Sequence, residues 1–124
     1  MTSRKEAAGY RDLLVWQKGI ALAKLVYAMT AIFPREEKFG LVSQMRRAAV
    51  SIPSNIAEGQ ARHTTGEFVQ FLSNAEGSVA ELDTQLVLSE GFRYCEARTA
   101  GELHEKLDEL RRMLNSLRRR LLAR

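Results

Sequence analysis

The stretch LHEKLDELRRMLNSLRRRL, residues 103–121, places leucine at 103, 107, 110, 114, 117 and 121. Spacings of four and three alternate without a break. They put every leucine on one side of an α-helix, as in the seam of a coiled coil. Such a stripe is stable only against other apolar surface, so this helix needs partners.

Three segments upstream supply them. Residues 65–91 carry Phe68, Leu72, Ala75, Val79, Leu82 and Leu86 at the same spacing. A second helix runs from 37 or 41 to 58, with Leu41, Met45, Ala48, Ala49, Ile52 and Ile56 on its stripe. A first helix spans 12–33 on Val15, Leu22, Val26, Met29 and Phe33. Asp12 is its predicted cap and Pro34 its stop. Thr64 with Glu67, and Thr99 with Glu102, read as capping boxes that start the third helix near 65 and the fourth near 100. Gly59 reads as an end signal for the second helix.

Two residues interrupt the pattern. Pro53 removes a backbone donor inside the second helix and frees the carbonyl near Ala49, which Ser51 or Ser54 is placed to take up. The apolar spacing stays in phase from Ile52 to Ile56, which favours one kinked helix over two joined at 51–54. Gly77 costs about 1 kcal/mol relative to alanine inside a helix, a cost that close approach by another backbone would explain. The links are short, so consecutive helices must be antiparallel neighbours. The predicted fold is all-α: an antiparallel up-down-up-down four-helix bundle, its second helix kinked at Pro53. Residues 1–9 form a flexible N-terminal tail and 10–124 a single domain.

The 124 residues suit one domain with a real core. One cysteine, Cys95, excludes an internal disulfide and suits a reducing compartment. No apolar run reaches the ~18 residues of a membrane span, and residues 1–9 hold no apolar signal core. A cytoplasmic protein without membrane attachment is expected. The net charge of +4 is uneven. Six of 19 basic residues (Arg111, Arg112, Arg118, Arg119, Arg120 and Arg124) fall after position 110 with no acid among them, leaving 13 basic against 15 acidic residues before it. Two readings stand for this cluster: cations complementing the helix dipole, or contact with nucleic acid or an acidic partner.

Patterns for chemistry fail on named residues. A di-iron bundle needs Glu-x-x-His, but Gln60 precedes His63 and Gly101 precedes His104 at that spacing. One cysteine and two distant histidines make a poor zinc set. Glu58, Glu67, Glu76, Glu81 and Asp83 read as salt-bridge or solvated carboxylates, with Glu81 placed to pair across to Arg46 or Arg47. Cys95 has no histidine near it in sequence, and no phosphate-binding loop is present. No catalytic residue, metal or cofactor is predicted. Nor does an aromatic platform lie beside the basic residues Lys18, Lys24, Arg46, Arg47 and Arg62 in sequence, so sequence-specific single-strand binding is not expected there, while electrostatic contact with a nucleic-acid backbone stays open.

The first helix has a second apolar stripe, Trp16, Ile20, Ala23 and Tyr27, offset by one residue from the first. It either widens the core face or forms a contact between subunits.

The segments YRDLLVWQKGIAL (10–22), FPREEKFGLVSQMRRAAVSIPSNIAEGQAR (33–62) and EFVQFLSNAEGSVAELDTQL (67–86) resemble a family of four-helix bundles named for proteins encoded in 23S rRNA intervening sequences. QMRRAAVSIPSNIAEG (44–59) is the most specific of these. The likeness covers about residues 10–95 closely and the last helix by pattern only. It implies a non-enzymatic bundle assembled as a ring-shaped homopentamer, with Trp16, Ile20, Ala23 and Tyr27 as the subunit contact. A more distant similarity, to accessory proteins of diversity-generating retroelements, implies RNA or DNA binding and a reverse transcriptase as partner. The candidate nucleic-acid residues are Lys18, Arg46, Arg47, Arg62, Arg111, Arg112, Arg118 and Arg119. A pentamer would carry about +20, a substantial field for phosphate. The charge after Arg111 lies outside the closely similar region.

Overall fold

The computed structural model describes residues 9–124, so the expected N-terminal tail lies, apart from Gly9, outside the described residues. A 3-10 turn, Tyr10–Asp12, leads into α1 (Leu14–Thr30). A second, Arg35–Glu37, precedes α2 (Leu41–Ala61), which is followed by α3 (Thr65–Gly91) and α4 (Ala97–Leu122). No strand occurs among the described residues.

Pairings between helices set the topology. Along α2 and α3, Met45 meets Ser89, Ser51 meets Ser78, and Gly59 lies under Phe68 and Phe71. The partner number falls as the other rises, so the two helices run in opposite directions. His104 with Asp83 and Arg118 with Glu76 show the same for α3 and α4. Arg46 with Thr30 and Pro53 with Gly19 show it for α1 and α2. One apolar cluster draws on all four helices, and Val26, Met45, Ile56, Leu72, Leu86 and Leu114 are fully buried in it.

The stripes hold their predicted phase, but several helix ends move. α1 begins after Leu13, whose side chain makes no capping bond; Asp12 instead closes the 3-10 turn on the Gly9 carbonyl. It ends at Thr30 rather than at Phe33. The Thr30 hydroxyl donates to the Val26 carbonyl at 2.7 Å, and the Arg46 guanidinium reaches the Tyr27 carbonyl at 3.2 Å. The Tyr27 carbonyl also accepts the Ala31 amide at 3.2 Å, so these side-chain bonds add to the backbone bonds of the last turn.

α2 begins at Leu41 because the Glu37 carboxylate accepts the Leu41 amide at 3.0 Å and so caps it from four residues back. That bond, with a second from the Tyr94 hydroxyl at 2.9 Å, holds the Glu37 pKa below its ordinary value. The helix continues past Gly59 to Ala61, so Gly59 is not its terminator. A Cβ there would fall 2.6 Å from the Phe71 Cβ, which makes Gly59 the close approach between α2 and α3. Gly77, expected in that role, has open space above it.

α2 is a single helix through Pro53, whose ring packs on Gly19. The Ser51 hydroxyl bonds the Ala48 carbonyl at 2.7 Å rather than that of Ala49. The Thr64 box is present, its hydroxyl accepting the Glu67 amide at 3.1 Å. The Thr99 box is not. α4 starts one turn earlier, at Ala97, and thereby carries Ala100 into the core.

Candidate nucleic-acid interface

On α4, positions 111, 112, 115, 116, 119 and 120 fall on one face, turned away from the leucine seam. Arg111, Arg112, Asn115, Ser116, Arg119 and Arg120 line a shallow concavity of about 390 Å³ there. Asp108, one turn earlier, binds Arg111 at 2.8 Å and also contacts Arg112. The Arg111 hydrogen bond holds its carboxyl below the usual range. Arg119 and Arg120 have no ion-pair partner among the described residues. They lie in the last turn, where the negative end of the helix dipole favours cations.

Arg118 belongs elsewhere. It lies seven residues from Arg111, at the edge of that face nearest α3, and its side chain is drawn across to α3. Its Nε donates to Glu76 at 2.6 Å and its Nη2 at 3.4 Å, and the pair is largely shielded. This is a structural clasp between helices. Lys18 is engaged by Glu109 across the α1–α4 seam at 3.2 Å, and Arg62 by Glu58 at 3.7 Å with the Phe71 ring beneath it. Arg46 is tied to the end of α1. Of the eight predicted residues the fold therefore gathers Arg111, Arg112 and Arg119, adding Arg120. Glu81 does not reach Arg46 or Arg47; its carboxylate accepts from Gln85.

Arg46 and Arg47 do have aromatic neighbours, contrary to the sequence reading. Tyr27, Lys38, Phe39, Val42, Ser43, Arg46, Arg47 and Val50 share a second concavity, of about 480 Å³. The Arg46 guanidinium lies 4.5 Å from the Tyr27 ring centre, and the Phe39 ring is 88% exposed. Tyr27 comes from α1 and Phe39 from the loop before α2, so only folding brings them to the arginines.

The second stripe of α1 is split in its environment. Trp16, Ile20 and Ala23 are half-buried, and Trp16 and Ala23 pack against the core. The Trp16 ring lies 5.5 Å from that of Tyr10. Tyr27 is exposed. The stripe therefore widens the core and still leaves an apolar margin.

One cluster escaped sequence reading. The His104 ring on α4 lies between two carboxylates of α3, Nδ1 at 2.6 Å from Asp83 and Nε2 at 2.7 Å from Glu90. Burial alone would lower the imidazole pKa. The bonds to Glu90 and Asp83, with their charges, outweigh it and raise the pKa above its ordinary value. Seven residues separate the two acids on α3, so they share a face; that spacing was a usable signal. Cys95 is half-buried, and burial, with Glu90, raises its thiol pKa, which is opposite to what a nucleophile needs. Among the described residues no group of three metal-ligating side chains comes together, and no helix is long and apolar enough to cross a membrane.

The profile of the 23S rRNA-intervening sequence protein family matches residues 11–116. The chain belongs to that family. A solved structure from Bacteroides thetaiotaomicron VPI-5482, described as a protein with unknown function from the S23 ribosomal protein family, superposes with a TM-score of 0.76. It is 20% identical, with 84% of this chain and 97% of that chain covered, a likeness of fold. No curated protein matches. The family match takes in Arg111 and Arg112 but stops before Arg118, Arg119 and Arg120, so part of the arginine face lies beyond it.

Proposed function

We propose that this member of the intervening-sequence protein family is a non-enzymatic, self-associating bundle that binds RNA or DNA through the outer face of α4. The observation that carries this is the concave strip of Arg111, Arg112, Arg119 and Arg120 with Asn115 and Ser116 between them. It offers four guanidinium forks and two neutral polar side chains to a phosphate backbone; among the described residues Asp108 is the acid ion-paired to them, through Arg111 and Arg112. Self-association through the apolar margin of Trp16, Ile20, Ala23 and Tyr27 would repeat the strip around a ring and multiply its field. The similarity to retroelement accessory proteins supports a reverse transcriptase as protein partner.

Fluorescence anisotropy with a labelled duplex over a salt series tests this reading. Four phosphate contacts per subunit give a slope of log K against log salt near −3 to −4. Arg119→Glu with Arg120→Glu is expected to reduce both affinity and slope. Absence of binding at about 50 mM salt sinks the reading. A second reading, a protein-interaction module without nucleic acid, draws support from the ion pairs of Arg111, Arg112 and Arg118. Self-association without nucleic-acid binding would decide for it.

A further inference from the structure

We propose that the concavity between the end of α1 and the start of α2 is a single-strand site, in which an unpaired base of RNA or DNA stacks on Phe39. It rests on the nucleic-acid reading above and assigns it a second surface, distinct from the α4 strip.

Phe39 is a large apolar side chain left almost wholly in water. The core makes no use of it. Its surroundings are unlike an ordinary apolar patch. Lys38 Nζ lies 5.4 Å from the Phe39 ring centre, the Arg46 guanidinium covers a face of Tyr27, and Val42 and Val50 line the same concavity. Arg47 and Lys38 have no ion-pair partner among the described residues, and no carboxylate lines the concavity. Glu37, the acid nearest in the chain to the patch, is already bound to the Leu41 amide and the Tyr94 hydroxyl.

Aromatic rings beside unpaired cations are what single strands use. Each base has a π face for the ring, and each phosphate neutralises a cation. A second copy of this chain is a poorer occupant, since an apolar protein face would desolvate Arg47 and Lys38 without compensation. A duplex keeps its bases stacked inside and cannot offer one to Phe39. Arg46 is fixed by Thr30 Oγ1 at 2.9 Å and by the Tyr27 carbonyl, so the Tyr27 side of the site is pre-set before binding.

The test compares a labelled single strand of about twelve thymidines with a duplex of equal length, on the whole protein at low salt. Phe39→Ala is expected to weaken single-strand binding about tenfold and leave the duplex unchanged, the scale of one base–aromatic stack. Phe39→Trp is expected to keep or strengthen it, and Arg47→Gln to weaken the single strand alone. Arg119→Glu with Arg120→Glu weakens both ligands. Equal binding of both strands with no effect of Phe39→Ala overturns this proposal and leaves the α4 reading standing. No binding of either ligand overturns both. A drop in molar mass by light scattering in Phe39→Ala also overturns it, because the patch would then be a contact between copies.

Discussion

Raising the pH from about 6 to about 8.5 is expected to lower the melting temperature through His104. Both imidazole nitrogens face carboxylates, at 2.6 and 2.7 Å, and only the imidazolium supplies two donors. Its folded pKa is raised above the ordinary histidine value. The stabilisation is therefore fully present below about 6.5, the unfolded value, and is lost as pH rises through the folded one. A shielded charge-assisted hydrogen bond contributes roughly 1.5–3 kcal/mol. Asp83 is 49% exposed, so screening reduces the pair to about 1 kcal/mol. For a chain of this size that is about 4 °C in Tm. Melts of the wild type and His104→Gln, followed by circular dichroism at both pH values, isolate the contribution. The wild-type advantage is expected to be larger at the lower pH and smaller at the higher. An equal difference between the two proteins at both pH values refutes the reasoning.

Gly59→Ala is expected to cost about 1–3 kcal/mol by forcing Phe71 and Phe68 away, read as a lower midpoint in urea. Gly77→Ala, with open space above it, is expected to stabilise the isolated chain by up to about 1 kcal/mol; a loss would show that something packs on that face. Thr64→Ala is expected to cost about 0.5–2 kcal/mol in the same assay, through loss of the cap on α3. Ile20→Glu is expected to reduce molar mass by light scattering while helicity is retained; an unchanged mass removes the α1 margin from the subunit contact.

The burial pattern was legible because it follows from periodicity alone. Each residue placed on the core stripes of the first three helices is buried, the second stripe of α1 is only half-buried or exposed, and on α4 only Leu117 falls short. Helix ends were less legible because the residues that bond to them lie off the apolar stripes. Arg46 adds a bond to the last turn of α1 from α2, and Glu37 caps α2 from the turn before it. The candidate site divided in the same way. Arg111, Arg112 and Arg119 share a face by their spacing, whereas Arg118 is taken out of it by Glu76, which only the docking of α3 on α4 brings near. Tyr27 and Phe39 reach the arginines of α2 from separate elements, so no window of sequence holds the platform. The close approach fell to Gly59 rather than Gly77, because what a neighbouring helix needs depends on which face it crosses.

The antiparallel course of the helices fixes the distance between the two basic surfaces. Leu14 shares a groove with Arg112 and Arg120, whereas Tyr27 borders Phe39. Both residues belong to α1, and at ~1.5 Å per residue they lie about 20 Å apart along its axis. On the proposed reading, a strand stacked at ~3.4 Å per nucleotide would reach across both surfaces of one subunit with about six nucleotides. Below that length the protein would act as two independent weak sites. Above it, the second contact becomes intramolecular and affinity rises by effective concentration rather than by any new bond. On the proposed nucleic-acid reading, the bundle would serve as a ruler, graduated by the length of α1.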